Sequence, residues 1–297
     1  RAIIMSVSGL GYLGINATDL EAWRDLAVSV FSMEVIEKNE GQAFYLRLDD
    51  WHHRLSITSS DSDSVSYVGW EVQNEESLDS LAQRLNDNGV KTALGEAEQV
   101  SDRKVTKLYN FIDPASGFPS EIFFGPKLEM HPFSPARGIA GYRTEECGLG
   151  HVVYFVEDYA GSVQFYRDVL GFRVSDYIIW DEGEDHFDVT FFHCNPRHHS
   201  LAVMPPFGPF KGGDFNHLMV ESRSIDDVGY AYDIVQDKGI PVMMGMGKHT
   251  NDHTQSFYIV TPSGFGIEYG ANSRLVGNDW AVKTYDAPAM WGHRAPG

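Results

Sequence analysis

The sequence is short of three things, and each shortage excludes a class of function. It has two cysteines, Cys147 and Cys194, too few for a disulfide framework or a thiolate metal cluster; both read as buried, reduced thiols. It has no apolar run approaching the ~20 residues that a membrane-spanning helix needs, and no basic-then-apolar leader, so the expectation is a cytoplasmic protein without a membrane partner. Basic residues are scarce: 23 Lys and Arg face 42 Asp and Glu, for a formal net charge of -19. A surface of that sign repels phosphate backbones and anionic lipid, which argues against nucleic acid as a partner. No stretch is low in complexity, and residues 1–4, which precede Met5, are left aside.

What the chain does have is a repeat of itself. "GLGYLGIN" at residues 9–16 returns as "GLGHVVYF" at residues 148–155; laying Gly9 on Gly148 also lays "FSMEV" from Phe31 on "LGFRV" from Leu170, and Tyr12 on His151. A second pairing sets residues 68–90 against residues 218–240. Each is an apolar strand, an amphipathic helix and a glycine stop, and the residues just ahead of them are Tyr67 and His217. A third sets residues 113–125 against 261–270, each a Pro-Gly turn leading into a strand, and brings Glu121 onto Glu268. The spacing gives one unit four times, starting near Gly9, Ser66, Gly148 and Asn216: a strand, a helix of three or four turns, and a meander of about three strands. The predicted fold is α+β, with four βαβββ modules paired into two similar domains over residues 5–135 and 136–297. A chain of 297 residues gives each half enough length to bury its own core. The Pro- and Gly-containing residues 131–146 suit a connector, and the chain from Asn272, which lacks the pattern, is expected to wrap back onto the second domain.

The duplication singles out His151, His217 and Glu268. Any one histidine taken alone is an ordinary packed or surface side chain. Here two imidazoles of the later half stand where the earlier half has the phenols of Tyr12 and Tyr67, and a carboxylate stands in both halves. Nine of the twelve histidines lie after residue 150, which places the chemistry in the later half. Glu268 sits in "GFGIEYG", where a buried carboxylate is costly unless it is paired or bound to a metal. Two histidines and one carboxylate converging from matching strands, with other positions left open, suit non-haem Fe(II) and oxygen chemistry. Mn(II) is the nearest substitute. Zn(II) is less favoured because nothing offers thiolate, although two histidines and a glutamate also make a catalytic zinc site.

Residues 249–270, "HTNDHTQSFYIVTPSGFGIEYG", resemble the signature segment of the type I extradiol ring-cleavage dioxygenases of the vicinal oxygen chelate superfamily. "HCNPRHHSLAV" at residues 193–203, "NHLMVESRSIDDVGYAYD" at residues 216–233 and "AMWGH" at residues 289–293 are similar to the same family, most of all to members acting on 2,3-dihydroxybiphenyl. The resemblance covers essentially the whole chain. It implies that each domain is a curved, incomplete barrel, and that iron(II) is held by His151, His217 and Glu268 in the second one. It also implies a catechol and O2 as reactants, and a homo-oligomer, with an octamer among the possible assemblies.

Ring cleavage by such a centre needs a proton acceptor that later gives the proton back, a task suited to histidine near neutral pH. Strand alternation through "RHHSLAV" sends His198 and His199 to opposite faces, so only one of them reaches the site. The resemblance makes that one His199, while His198 itself reads as an outward or interdomain side chain. It further implies that His249, on a loop ahead of the last strands, contacts substrate or oxygen, and that Tyr258 hydrogen-bonds the ionised catechol oxygen. Asp252 orients that neighbourhood, and Val153, Phe191, Asn251 and Pro288 border an aromatic pocket with room for a second ring. Two other readings stand beside this one: a non-catalytic aromatic-binding protein, and a metal-dependent lyase or epimerase on the same scaffold. The first has no use for a proton shuttle, and the second does not account for the segment from His249 to Glu268.

Overall fold

A computed structural model describes residues 7–39, 41–183 and 185–295; residues 5, 6, 40, 184, 296 and 297 of the expected domains lie outside them. The chain runs through four modules. The first holds β1 (Gly9–Ala17), α1 (Leu20–Asp25), β2 (Glu34–Asn39), β3 (Ala43–Arg47) and β4 (Leu55–Ser59). The second holds β5 (Ser64–Glu71), α2 (Glu75–Asp87), β6 (Ala93–Leu94), α3 (Ala97–Arg103), β7 (Lys107–Ile112) and β8 (Pro119–Phe124). The third holds β9 (His151–Phe155), α4 (Tyr159–Gln164), β10 (Arg173–Glu182), β11 (Asp185–His193) and β12 (Leu201–Met204). The fourth holds β13 (Phe215–Glu221), α5 (Ile225–Lys238), β14 (Val242–His249), β15 (Gln255–Val260) and β16 (Gly266–Ala271). The tail adds β17 (Lys283–Tyr285) and β18 (Ala289–Gly292).

Each pair of modules closes into one curled sheet, the half-barrel of the expected fold. The strand orders are β2-β3-β4-β1-β5-β8-β7-β6 and β17-β10-β11-β12-β9-β13-β16-β15-β14-β18. At the centre of each, the first strands of two modules run antiparallel, and the last strand of each module lies parallel beside its first. The tail wraps back as the sequence predicted, and it does so at both edges: β17 pairs with β10 and β18 with β14.

The helices begin where side chains replace missing backbone partners. Asp19, Asn74, Asp158 and Ser224 each accept a first-turn N–H, and Gly239 ends α5 in the left-handed region. The face of α2 that carries Leu78, Leu81, Ala82 and Leu85 is buried, as its spacing requires. In the first and third modules the helix is shorter than expected and finishes in a wider turn, at Leu26–Val30 and Phe165–Val169. These two turns superpose under the shift that lays Gly9 on Gly148. One continuous apolar core, including Trp23, Trp70, Tyr166 and Tyr269, runs beneath both sheets. The connector is tied down: Arg137 donates to the carbonyls of Ser29 and Val30, and the Tyr142 hydroxyl donates to that of Phe31.

Two buried imidazoles away from the centre make the fold acid-sensitive. His53 stacks on Tyr45, and burial holds its pKa well below the usual histidine value; burial likewise brings His193 down to about 4. Both groups are neutral in the fold and take up a proton near pH 6.5 once unfolded. Their contribution is therefore complete above about pH 6.5 and is lost as pH falls below it, for His193 toward about 4. For His193 the loss reaches about 2 kcal/mol at pH 5. Urea titrations at pH 7.5 and pH 5 should show the wild type losing that much more than His193→Gln; equal losses in the two proteins would contradict the assignment.

Candidate metal centre

Three neighbouring strands build the centre. His151 opens β9 and Glu268 sits in β16, and both lie directly across from Met219 on β13. His217 stands two residues before Met219. Paired residues share a face, as do alternate residues of one strand, so the two imidazoles and the carboxylate project from the same side of the sheet. His151 Nε2 lies 3.2 Å from His217 Nε2 and 3.2 Å from Glu268 Oε2, and His217 Nε2 lies 3.5 Å from that oxygen. Neighbouring ligands on one ion, at bonds of ~2.1 Å and right angles, sit roughly 3 Å apart, so the three donors fit a divalent cation. They are the nitrogen and oxygen donors that suit iron, and neither cysteine is among them.

The surroundings prepare these donors. Burial brings His151 down to about 4. Burial also works against the charge on Glu268, but the imidazoles of His151, His217 and His249 packed around its oxygens outweigh it and hold the carboxyl well below its usual range. At neutral pH a cation therefore displaces no proton from either group. Asn216 Oδ1 lies 2.6 Å from His217 Nδ1 and fixes the proton there, leaving Nε2 as the donor. Ser256 Oγ donates to Glu268 Oε1 at 2.6 Å and sets the carboxylate plane.

The other predicted residues gather around this point. The His199 ring lies 3.9 Å from that of His151, and burial, followed by the charges of His151 and His198, keeps its pKa well below the usual value. Across the centre, His249 Nε2 is 2.7 Å from the Tyr258 hydroxyl and 3.3 Å from Glu268 Oε1, while its Nδ1 donates to the Pro288 carbonyl. Burial lowers the His249 pKa, but the hydrogen bond and charge of Glu268 prevail and raise it to about 9. A cavity of about 310 Å³ opens beside the triad, and Val153, Phe191, Asn251, Asp252 and Pro288 all line it. Asp252 accepts from the backbone and hydroxyl of Thr254, so its carboxylate shapes the loop. Asn251 Nδ2 is buried with no hydrogen-bond partner among the described residues.

Two placements differ from expectation. His198 does not face outward: it is 1% exposed, its Nδ1 is 3.0 Å from His199 Nδ1, and its Nε2 is 2.7 Å from Asp176 Oδ2. Alternation does not apply to the pair because β12 begins only at Leu201. His249 ends β14 instead of lying on a loop. Sequence reasoning also missed Asn216, Ser256, Asp176 and the apolar far end of the cavity, formed by Ile178, Trp180, Val189, Met204 and Phe207. His293 went unassigned as well; it stacks on His249 with ring centroids 4.3 Å apart. Ser256 was within reach, because it stands two residues before Tyr258 on the same face of β15.

The earlier half carries the same layout with a different filling. Tyr12, Gly69 and Glu121 form the row that His151, Met219 and Glu268 form later, and Tyr67 again stands two residues before the middle position. A Cβ on Gly69 would lie 2.2 Å from the Tyr12 ring, so the larger phenol occupies the space that Met219 fills in the later half. The cation here is Arg103, at the end of α3. Its guanidinium donates to both oxygens of Glu121 at 2.8–3.0 Å and lies 3.4 Å from the Tyr67 ring centroid. No comparable helix stands between β14 and β15.

Comparison with known proteins gives the following. Residues 148–269 match the family model described as Glyoxalase/Bleomycin resistance protein/Dioxygenase superfamily, and residues 10–59 match that of Dihydroxybiphenyl dioxygenase BphC D1. The biphenyl-2,3-diol 1,2-dioxygenase of Metapseudomonas furukawaii is 39% identical over 98% of this chain and 95% of its own length. An iron-dependent extradiol dioxygenase of Rhodococcus jostii (strain RHA1) is 39% identical over 97% of both chains. The crystal structure of BphC, a halotolerant catechol dioxygenase, superposes with a TM-score of 0.91 at 33% identity, covering 98% of this chain and 95% of that one.

Proposed function

We propose that this chain, which belongs to the extradiol ring-cleavage dioxygenases of the vicinal oxygen chelate superfamily, cleaves a bicyclic catechol such as 2,3-dihydroxybiphenyl with Fe(II) held by His151, His217 and Glu268. The observation that carries this reading is the triad of nitrogen and oxygen donors facing a cavity with a proton acceptor on one side and an apolar end beyond. When bound, Fe(II) supplies adjacent coordination positions for the two diol oxygens and O2, and a path for electron density between them. The net reaction adds both oxygen atoms to the substrate and breaks the ring bond beside the hydroxyl pair, so no external reductant is consumed.

The chain's own residues supply the rest. His199, kept neutral by burial, takes a catechol hydroxyl proton on Nε2 and returns it as the ring opens. Tyr258 and His249 form a hydrogen-bonded pair, 2.7 Å apart, on the opposite side, where they orient the charged diol oxygen. Val153 and Phe191 wall the aromatic pocket beside the triad. Ile178, Trp180 and Phe207 receive the second ring; Trp180 is itself held by stacking on Phe187 with centroids 4.4 Å apart. No lysine or arginine among the described residues lines the cavity, which favours an uncharged second ring. The same reading places a homo-oligomer in the cytoplasm, in keeping with two unpaired cysteines.

The test is anaerobic purification, addition of Fe(II), and mixing with 2,3-dihydroxybiphenyl in air. Wild type should consume O2 and form a yellow ring-opened product. His199→Phe should bind iron and diol but turn over ~10²–10⁴-fold more slowly. Iron-loaded protein that takes up no O2 with any mono- or bicyclic catechol would end the proposal, and unchanged turnover in His199→Phe would remove that residue from it.

A further inference from the structure

We propose that Asp176, acting through His198, is a positioning residue that sets the tautomer of His199 and so keeps its Nε2 free of a proton on the cavity side. The inference rests on the function proposed above for its catalytic meaning, but the tautomer itself can be observed independently.

Three side chains form a buried line leading away from the cavity. Asp176, 0% exposed, places Oδ2 2.7 Å from His198 Nε2, and His198 Nδ1 is 3.0 Å from His199 Nδ1. A buried carboxylate only accepts hydrogen bonds, so the Nε2 of His198 carries the proton of the first contact. A neutral His198 then has a lone pair on Nδ1, and the proton of the second contact belongs to His199 Nδ1. His199 lines the cavity, and with Nδ1 turned to His198 its remaining nitrogen is a bare Nε2. This arrangement serves both states that the chemistry needs. As base and as conjugate acid, His199 keeps its Nδ1 proton in place, and only Nε2 changes. The carboxylate of Asp252 is not a competing partner: its Oδ2 is 3.9 Å from Nδ1 and already accepts from Thr254.

The fold invests local structure in this line. A register shift between Val174 and Asp176 breaks the regular pairing of β10 with β11 and lets both Ser175 and Asp176 reach His198. Ser175 donates to the His198 carbonyl while holding His193 Nδ1 at 2.7 Å. From the tail, the Lys283 N–H donates to Asp176 Oδ1 at 2.8 Å, and the Trp280 ring lies 5.3 Å from that of His198.

Asp176→Asn tests the direction of the line at almost constant shape. The Lys283 N–H still calls for an oxygen at the Oδ1 position, so the amide nitrogen takes the Oδ2 position and donates to His198 Nε2. His198 then carries its proton on Nδ1, His199 accepts there, and His199 Nε2 becomes protonated. Imidazole nitrogen NMR on the full chain loaded with diamagnetic Zn(II) should show His199 protonated on Nδ1 in wild type and on Nε2 in Asp176→Asn. With Fe(II), turnover of 2,3-dihydroxybiphenyl by the variant should fall ~10²–10⁴-fold, with iron content and KM within about threefold of wild type. A wild-type His199 protonated on Nε2 overturns the proposal, as does an iron-loaded variant that turns over like wild type. Should Asp176→Asn fail to fold, the wild-type spectrum alone decides. Should wild type cleave no catechol, the proposed function falls while the spectrum still reports on the tautomer.

Discussion

His151→Ala is expected to fold, to lose its iron, and to show less than about a hundredth of wild-type ring cleavage. Even the loss of an outer partner of a metal ligand costs ~10–100-fold in affinity or activity, and His151 is one of three direct donors. The fold survives because strand β9 is held by backbone pairing to β12 and β13, which alanine keeps. Glu268 also remains accommodated, since the Ser256 hydroxyl at 2.6 Å and His249 at 3.3 Å still face its oxygens. The activity loss should therefore come without a collapse of stability, and circular dichroism should match that of metal-free wild type. Iron is measured per chain after dialysis against a mild chelator. Retention at the wild-type level would remove His151 from the centre and take the proposed chemistry with it.

The triad was legible because duplication supplied a control inside one sequence. Tyr12 against His151, and Tyr67 against His217, mark a row of the sheet where the halves differ in chemistry while the strands keep their register. The module order and the glycine that ends α5 were legible from local marks, an apolar periodicity and its stop, and the return of the tail from the loss of that pattern after Asn272. What escaped depends on irregularities that leave no such mark. His198 was placed outward on the assumption of an unbroken strand through residues 197–203, whereas the strand starts at Leu201 and the two histidines precede it. The bulge that presents Asp176 is a register shift between two distant strands, and nothing in "FRVSDY" announces it. The apolar end of the cavity draws Trp180, Val189 and Met204 from three separate strands, each of which reads alone as ordinary core.

Arg103→Ala is expected to destabilise the protein by ~3–5 kcal/mol, the usual cost of stripping a buried ion of its partner. Glu121 is 2% exposed, and its oxygens accept from Tyr12, from Gln99 and three times from Arg103. Tyr12 and Gln99 can satisfy hydrogen bonds, but neither offsets a full negative charge, so removal of the guanidinium leaves the carboxylate to be protonated or hydrated at the expense of packing. The contact over the Tyr67 ring adds a smaller share, about 1 kcal/mol. Adding Glu121→Gln to Arg103→Ala should restore much of the stability, because an amide at that position still accepts from Tyr12 without a charge to neutralise. Urea midpoints of the single and double variants measure the difference. A double variant no more stable than Arg103→Ala would mean that Arg103 contributes by filling space and not by charge. In that case the parallel with the later half would end at shape. If the double variant recovers, the glutamate buried in the first half depends on the charge of Arg103, which stands where the metal ion would stand beside Glu268 in the second half.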